Sequence, residues 1–184
     1  MFNQLLERIA LSLEQRQIPY MVIGGQAVLI YGEPRLTRDI DITLGVGPER
    51  VQDLLSIAQS SGWRLLVEKP EDFAQRTFVL PLQDSVSGIR IDLIFSYSPY
   101  ERQALDRVRG VSIGKANVRF AAAEDVIVLK IVAGRLRDLE DAGSILVKNQ
   151  ELDRGYIRRW LAEFDRSLGK TCVQTFDNLT HSAK

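Results

Sequence analysis

Two short segments of the sequence have apolar residues at every second position, and each carries aspartate on the side between them. The first is RDIDITL at residues 38–44, and the second is IRIDLIF at residues 89–95. Successive side chains of a β-strand point to opposite faces of the sheet, so the alternation predicts two strands, each with one buried face. Asp39 and Asp41 then share the other face of the first strand, with Cα atoms about 6.5–7 Å apart.

The spacing of these carboxylates favours a bound cation. Two carboxylates so close together repel each other unless a cation lies between them, and hard divalent ions prefer oxygen ligands. If the second strand is a neighbour of the first, Asp92 adds a third carboxylate, and three carboxylates can hold two Mg²⁺ ions about 3.5–4 Å apart. The alternative is an edge strand with Asp39 and Asp41 facing solvent, where charges prevent strand pairing. For an isolated Asp-x-Asp that alternative is the commoner one.

A pair of glycines, Gly24 and Gly25, ends the apolar segment YMVI and precedes a short predicted helix. A strand–glycine–glycine–helix turn presents backbone N–H groups and a helix N-terminus, which together bind phosphate. Taken alone, the pair is also typical of a plain tight turn. Its surroundings fit neither the G-x-G-x-x-G pattern of dinucleotide-binding folds nor the P-loop pattern, because no G-K-[ST] follows.

The pattern of predicted elements divides the chain into a strand-rich part and a helical part. Predicted strands and helices alternate up to about residue 122, which indicates an α/β (α+β) fold. From there on, residues 123–148 predict one long helix and residues 153–169 predict another. We therefore expect an α/β core over residues 1–122 and a helical C-terminal region over residues 123–184.

Composition excludes several classes of protein. The chain has 184 residues with one histidine and one cysteine, Cys172, so it forms neither an internal disulfide nor a Cys/His metal cluster. Its formal net charge is zero, so any nucleic acid must be bound by local charge. No segment approaches the ~20 apolar residues that a membrane helix needs. We expect a soluble cytoplasmic protein that does not associate with membranes.

The combination of the glycine pair and the aspartates resembles the DNA polymerase β-like nucleotidyltransferase superfamily. Its signature is an apolar residue, Gly-Gly or Gly-Ser, a spacer, and Asp-x-Asp or Asp-x-Glu between apolar residues, which residues 23–25 and 39–42 match. The resemblance implies a mixed-sheet nucleotidyltransferase fold that binds a nucleoside triphosphate donor. It also implies that Asp39, Asp41 and Asp92 are catalytic ligands of two Mg²⁺ ions, and that the glycine pair holds the triphosphate.

Two further features resemble a narrower branch, which holds AbiEii-type toxins and related small bacterial nucleotidyltransferases. Arg35 and Thr37 precede the aspartates. The segment LKIVAGRLRDLEDAGSIL carries a lysine, an R-x-[KR]-D motif and a further aspartate, at Lys130, Arg135, Arg137, Asp138 and Asp141. The resemblance implies that the nucleotide contacts Arg35, Thr37, Lys130 and Asp138, and that the helical region closes the cleft.

The predicted long helix has a charged stripe with a glycine in it. At 100° per residue, Lys130, Gly134, Arg137 and Asp141 fall on one side, opposite an apolar face that includes Leu136. On that stripe we expect the side chain of Lys130 to pack only through its aliphatic part, with no further structural role. A glycine costs ~1 kcal/mol relative to alanine in a helix interior, which close approach of the nucleotide would explain. The alternative is a solvated face with an Arg137–Asp141 ion pair.

The acceptor stays open at the level of the sequence. We expect a metal-dependent nucleotidyltransferase that moves a nucleoside monophosphate from a nucleoside triphosphate to a hydroxyl group. The acceptor is either RNA, for a toxin with an antitoxin protein as partner, or a small molecule, for an enzyme of the antibiotic-modifying type. A third reading is a non-catalytic module that binds nucleotide or a partner with the same fold, against which the presence of all three aspartates argues.

Overall fold

The computed structural model describes residues 1–96 and 98–182. Within these residues the chain forms one seven-stranded mixed sheet, nine α-helices and a short 3₁₀ helix, which confirms the expected α/β fold class. In chain order the elements are α1 (Phe2–Gln15), β1 (Tyr20–Ile23), α2 (Gly24–Tyr31), β2 (Asp39–Leu44), the 3₁₀ helix (Pro48–Arg50), α3 (Val51–Ser61), β3 (Trp63–Leu65), α4 (Pro70–Thr77), β4 (Val79–Asp84), β5 (Arg90–Phe95), α5 (Pro99–Leu105), β6 (Arg109–Ile113), β7 (Ala116–Phe120), α6 (Ala123–Ala133), α7 (Leu136–Lys148), α8 (Arg154–Leu168) and α9 (Cys172–Ser182).

The chain divides into two compact units. The first comprises Met1–Gln26 and Leu36–Ala121, and it contains all seven strands of the sheet. The second comprises Ala27–Arg35 and Ala122–Lys184, so most of α2 belongs with the C-terminal helices α6 to α9. No helix in the described part of the chain is long and apolar enough to cross a lipid bilayer.

The sheet has the strand order β3-β4-β5-β2-β1-β7-β6, with β2 near its centre. Strand β2 pairs in parallel with β5 from Asp39 opposite Arg90 to Leu44 opposite Phe95. On its other side β2 pairs antiparallel with β1, and β1 is followed by β7 in parallel. Because β2 is paired on both sides, the edge-strand explanation of its aspartates is excluded.

Apolar side chains on one face of β2 and β5 form the core of the first unit. Ile40, Ile42, Ile91 and Leu93 are completely buried, as the alternation predicts. The amphipathic helix α1 contributes its own buried stripe at helical spacing, which comprises Leu5, Leu6, Ile9, Ala10 and Leu13. Burial of this apolar face leaves the aspartates on the opposite face of the sheet.

The prediction of one long helix over residues 123–148 is wrong. Helix α6 ends at Ala133, Gly134 takes a left-handed conformation with φ of 69°, and α7 begins at Leu136. Glycine enters this region without the steric penalty of a Cβ atom, so it ends helices readily. Leu136, assigned to the apolar face of a continuous helix, is 78% exposed. Helical periodicity does not distinguish one helix from two consecutive ones.

Helix α4 was not predicted from the sequence, and α9 was predicted only as part of the helical region over residues 123–184. Helix α4 has eight residues with Ala74 as its buried residue, so it offers little apolar periodicity. The sequence RTFVLPLQ at residues 76–83 predicts a strand, but α4 continues to Thr77 and strand β4 starts only at Val79. Helix α9 follows the left-handed Gly169 that ends α8. Both are short elements whose position depends on packing against neighbours.

Substitution of Gly134 tests the break between α6 and α7. Gly134→Ala should destabilise the protein by about 1–2 kcal/mol, because a Cβ atom is unfavourable at this left-handed φ. Gly143→Ala is the matched control: Gly143 lies inside α7, and an added Cβ would meet only Leu179 at an ordinary 3.9 Å. That change should stabilise by about 0.5–1 kcal/mol. Urea unfolding measures both, and stabilisation by Gly134→Ala would contradict the break.

Candidate active site

The three predicted catalytic aspartates lie on one face of the sheet in the first unit. Asp41 and Asp92 are direct partners in the parallel pairing of β2 and β5. Asp39 is two residues earlier on β2, so its side chain projects to the same face. All three are partly exposed, whereas the alternating isoleucines and leucines between them are buried. Strand register therefore puts Asp39, Asp41 and Asp92 on one face of two neighbouring strands. Their roles in catalysis and metal binding stay predictions.

The glycine turn lies directly beside Asp41. Ile23, the last residue of β1, pairs with Asp41, and Gly24 begins α2 with φ of 63°. A Cβ atom added to Gly24 would overlap the Oδ2 atom of Asp41. Glycine is thus required at position 24 for two independent reasons, its backbone conformation and the space taken by the carboxylate. The N-terminal end of α2 and the aspartates form one continuous site.

Thr37 supports Asp39. Its hydroxyl group lies 3.2 Å from the backbone oxygen of Asp39 and 3.3 Å from the Oδ1 atom of the same residue. Thr37 is 8% exposed, so the hydroxyl is largely shielded from solvent. These contacts fix the start of β2 and the orientation of its first carboxylate. Contact between Thr37 and a nucleotide stays a prediction.

Arg90 is a residue of this site that the sequence analysis missed. Its Nε atom donates to both carboxylate oxygens of Asp92, at 2.9 and 3.0 Å. The hydrogen bond to Asp92 is the main reason why the pKa of Arg90 is raised, and the charges of Asp39 and Asp41 add to it. Alternation already puts Arg90 and Asp92 on one face, so a signal for this ion pair was present in the sequence.

The donor atoms of this face suit a hard divalent cation, but they do not form a ready metal site. In residues 1–96 and 98–182, no group of three or more His, Cys, Asp or Glu side chains is arranged to hold a metal ion. Three carboxylates beside a glycine turn nevertheless offer the oxygen ligands that Mg²⁺ prefers. Asp92 faces Arg90 in this arrangement. Mg²⁺ coordination by all three carboxylates would require Asp92 to exchange that partner.

A cluster of five charged side chains holds together elements of the second unit. We call Arg35, Lys130, Arg135, Asp138 and Asp141 the ion cluster. Lys130 Nζ lies 2.7 Å from Asp138 Oδ1 and 2.9 Å from Asp141 Oδ2. The guanidinium of Arg35 donates to both oxygens of Asp141 at 2.7 and 2.8 Å. Arg135 Nε donates to Asp138 at 2.6 Å.

The expectation that Lys130 has no structural role beyond packing of its aliphatic part is wrong. Lys130 is 7% exposed and both of its aspartate partners are buried. The reason is the break at Gly134, after which Asp138 and Asp141 belong to α7 and pair with Lys130 of α6. Contacts of Arg35, Lys130 and Asp138 with a nucleotide stay predictions. The contacts described here bind these residues to one another.

The cations of the ion cluster keep its two aspartates charged. Burial acts to raise the pKa of Asp138 and Asp141, and it is the largest single influence on each. Hydrogen bonds from Arg135 and Lys130 to Asp138, and from Arg35 and Lys130 to Asp141, outweigh that burial. Both pKa values therefore lie below the ordinary 3.8. The two aspartates are therefore charged near neutral pH, and their contacts with the cations stabilise the second unit there.

Removal of the central lysine should be costly. Lys130→Met leaves the two buried aspartates without their shared cation, and breaking a buried ion pair typically costs about 3–5 kcal/mol. The matched control is Lys148→Met, because Lys148 pairs with Glu33 at 2.9 Å in an exposed position. An exposed pair contributes about 0–1 kcal/mol. Equal, small losses in urea unfolding of the two variants would show that Lys130 is not part of a buried cluster.

Acid should weaken the ion cluster. Groups whose folded-state pKa is lowered stabilise the protein above their unfolded-state pKa, here about 3.8, and that stabilisation is lost as pH falls through the lower folded-state value. The free energy of unfolding should thus drop steeply below about pH 4, and less steeply in Asp141→Asn. Exposed Asp72 provides the control Asp72→Asn, which should keep the wild-type slope. Identical slopes for all three proteins in melts from pH 6 to pH 3 would contradict this.

The sequence matches a known protein family over most of its length. The model of a family described as nucleotidyltransferase of unknown function (DUF6036) matches residues 1–173. The chain belongs to this nucleotidyltransferase family. The expected superfamily and the expectation of an enzyme are both confirmed. The narrower AbiEii-type branch is not supported by this match and stays a prediction. No curated protein matches the chain.

Solved structures share the fold at low sequence identity. ANT(2'')-Ia, an antibiotic-resistance factor solved in complex with adenylyl-2''-tobramycin, is 18% identical with a TM-score of 0.61, over 91% of this chain and 98% of that one. An antigenic nucleotidyltransferase-like protein from Paracoccidioides brasiliensis is 17% identical with a TM-score of 0.59, over 90% and 87%. The lincosamide antibiotic adenylyltransferase LnuA, solved with lincomycin, is 16% identical with a TM-score of 0.50, over 72% and 89%. These likenesses confirm a nucleotidyltransferase fold.

Proposed function

We propose that the protein is a metal-dependent enzyme that transfers a nucleoside monophosphate from a nucleoside triphosphate to a hydroxyl group of a small molecule. One observation carries this proposal: the glycine turn at Gly24 lies against Asp41, and Asp41 lies beside Asp92 in the sheet. Nucleotidyl transfer needs a phosphate-binding turn next to a carboxylate site for divalent cations. Here both are built from adjacent strands of the first unit.

Each group of site residues in the first unit would have its own role in this reaction. Backbone N–H groups at the start of α2 would bind the triphosphate, for which Gly24 and Gly25 leave room. Asp39, Asp41 and Asp92 would hold Mg²⁺, which when bound neutralises the triphosphate and lowers the pKa of the acceptor hydroxyl. Asp92 would also accept the proton of that hydroxyl. The hydroxyl oxygen then bonds to the α-phosphorus, and pyrophosphate leaves with the electrons of the broken P–O bond.

A small-molecule acceptor has the better support. This chain covers 98% of ANT(2'')-Ia, a protein solved with an adenylylated antibiotic, so the matched fold accounts for nearly all of an enzyme of that kind. A net charge of zero offers no long-range attraction to RNA phosphates. The alternative is an RNA acceptor with an antitoxin partner, as in the AbiEii-type branch. It rests on the motif residues of that branch, such as Arg35, Thr37 and Lys130. Their described contacts are with one another or with Asp39, so they do not point to RNA. A cytoplasmic location is part of the proposal, which the single, buried Cys172 fits.

Asp41→Asn should separate binding and transfer from folding. The substitution is nearly isosteric, so thermal stability should stay within about 0.5 kcal/mol of wild type or rise, because repulsion among the aspartates is reduced. Transfer should fall at least about 100-fold, since metal-ion catalysis contributes several kcal/mol of charge stabilisation. A melt measures the stability, and label moved from an α-labelled nucleoside triphosphate measures the transfer. Calorimetric titration with a non-hydrolysable triphosphate and Mg²⁺ measures binding, which should also be lost. Asp72→Asn on exposed α4 is the control for loss of a carboxylate elsewhere.

The acceptor is tested by following label from each α-labelled nucleoside triphosphate with Mg²⁺. Aminoglycosides, lincosamides and total RNA are offered separately, and label is expected on a small molecule. Label on RNA would move the protein to the toxin branch. Triphosphate binding without transfer to any acceptor would favour a non-catalytic module. Wild-type transfer by Asp41→Asn would remove the aspartates of β2 from the reaction altogether.

A further inference from the structure

Arg90 lies on the carboxylate face, in contact with Asp92. It pairs with Asp39 across the two parallel strands, and its Nε atom contacts both oxygens of Asp92. The charges of Asp39 and Asp41 also act on its guanidinium. One positive side chain is thus shared, directly or at longer range, by all three carboxylates of the site.

The exposure of the two partners differs in a way that suits an exchangeable contact. The side chain of Arg90 is 54% exposed, whereas that of Asp92 is 17% exposed. Asp92 is therefore fixed in the sheet, and the arginine reaches it from the solvent side. A long, half-exposed side chain has many other rotamers available, so it can leave without disturbing the strand.

Arg90 and a divalent cation compete for the same carboxylate. A cation bound to Asp92 would lie next to the guanidinium of Arg90. Two positive groups that contact the same carboxylate repel each other strongly in a partly buried site. Without either cation, three carboxylates on one face would repel one another. One positive partner is favoured at a time.

We propose that Arg90 is a displaceable counter-cation, which stabilises the carboxylate face in the metal-free protein and is released from Asp92 when a divalent cation binds. This inference rests on the metal dependence of the proposed function. Arg90 is on this view a positioning residue rather than a catalytic one. Its consequence is that metal binding to the protein alone is weakened, so occupancy of the site depends more on the charge that the nucleotide brings with it.

The test is a titration of the full chain with Mn²⁺ alone, without nucleotide, followed by the paramagnetic resonance of the free ion. Arg90→Met should bind Mn²⁺ about 5- to 10-fold more tightly than wild type, which at 1.4 kcal/mol per decade corresponds to about 1–1.4 kcal/mol. The matched control is Arg64→Met. Arg64 is an exposed arginine on β3 that donates to Gln83 rather than to a carboxylate, so its removal should leave Mn²⁺ affinity unchanged.

Thermal melts with and without Mn²⁺ supply a second readout. Loss of an ordinary surface ion pair would change the melting temperature equally in both conditions. In the presence of a chelator, Arg90→Met should melt below wild type, because the carboxylates have lost their cation. At saturating Mn²⁺ the difference should disappear or reverse, since the ion then supplies the charge. Arg90→Lys keeps the positive charge on a more strongly hydrated group. Its Mn²⁺ affinity and its melting temperature should lie between those of wild type and Arg90→Met. It also serves in place of Arg90→Met if that variant does not fold.

Each result decides between the proposals. Tighter Mn²⁺ binding by Arg90→Met, or Mn²⁺ binding by this variant alone, supports the displaceable counter-cation. Equal or weaker binding by Arg90→Met, with Mn²⁺ bound by wild type, overturns this role of Arg90 and leaves the proposed function intact. Absence of Mn²⁺ binding to both proteins, without nucleotide, overturns this inference. The metal dependence of the proposed function is judged separately, by loss of nucleotidyl transfer when Mg²⁺ is removed with a chelator.

Discussion

The parallel pairing of β2 with β5 is the constraint on which the candidate site depends. Its register places Asp41 beside Asp92, and the same register places Ile40 beside Ile91 on the buried face. A shift by one residue would turn the apolar side chains to the solvent face and the aspartates into the core, which burial makes very unfavourable. Packing of the hydrophobic face therefore fixes the geometry of the carboxylates on the opposite face.

This geometry concentrates negative charge, and neighbouring residues limit its cost. Gly24 leaves space for the carboxylate of Asp41, Thr37 bonds to Asp39, and Arg90 supplies positive charge to Asp92. None of these three contacts is deeply buried on both sides. Interactions of this kind are weak individually, so they can be rearranged by a ligand that brings its own charge.

The ion cluster of the second unit uses similar groups for a different purpose. Asp138 and Asp141 are 3% and 5% exposed, and three cations surround them. Loss of one partner from a buried pair leaves a charge that water cannot reach, which makes such a cluster difficult to open. Exposure thus separates two sets of aspartates: those on the sheet are partly exposed, whereas the buried pair in the ion cluster links α6, α7 and Arg35.

The sequence by itself determined the local elements with strong signals. Apolar residues at every second position identified β2 and β5, the glycine pair identified the turn into α2, and the combined motif identified the nucleotidyltransferase superfamily. Only the tertiary structure decided that α6 and α7 are separate helices, that Lys130 is buried between two aspartates, and that Arg90 holds Asp92. Periodicity reports which face of an element is apolar, because that depends on neighbours along the chain. The partner of a charged side chain depends on which elements meet in space, and residues 35 and 141 show how far apart such partners lie in sequence.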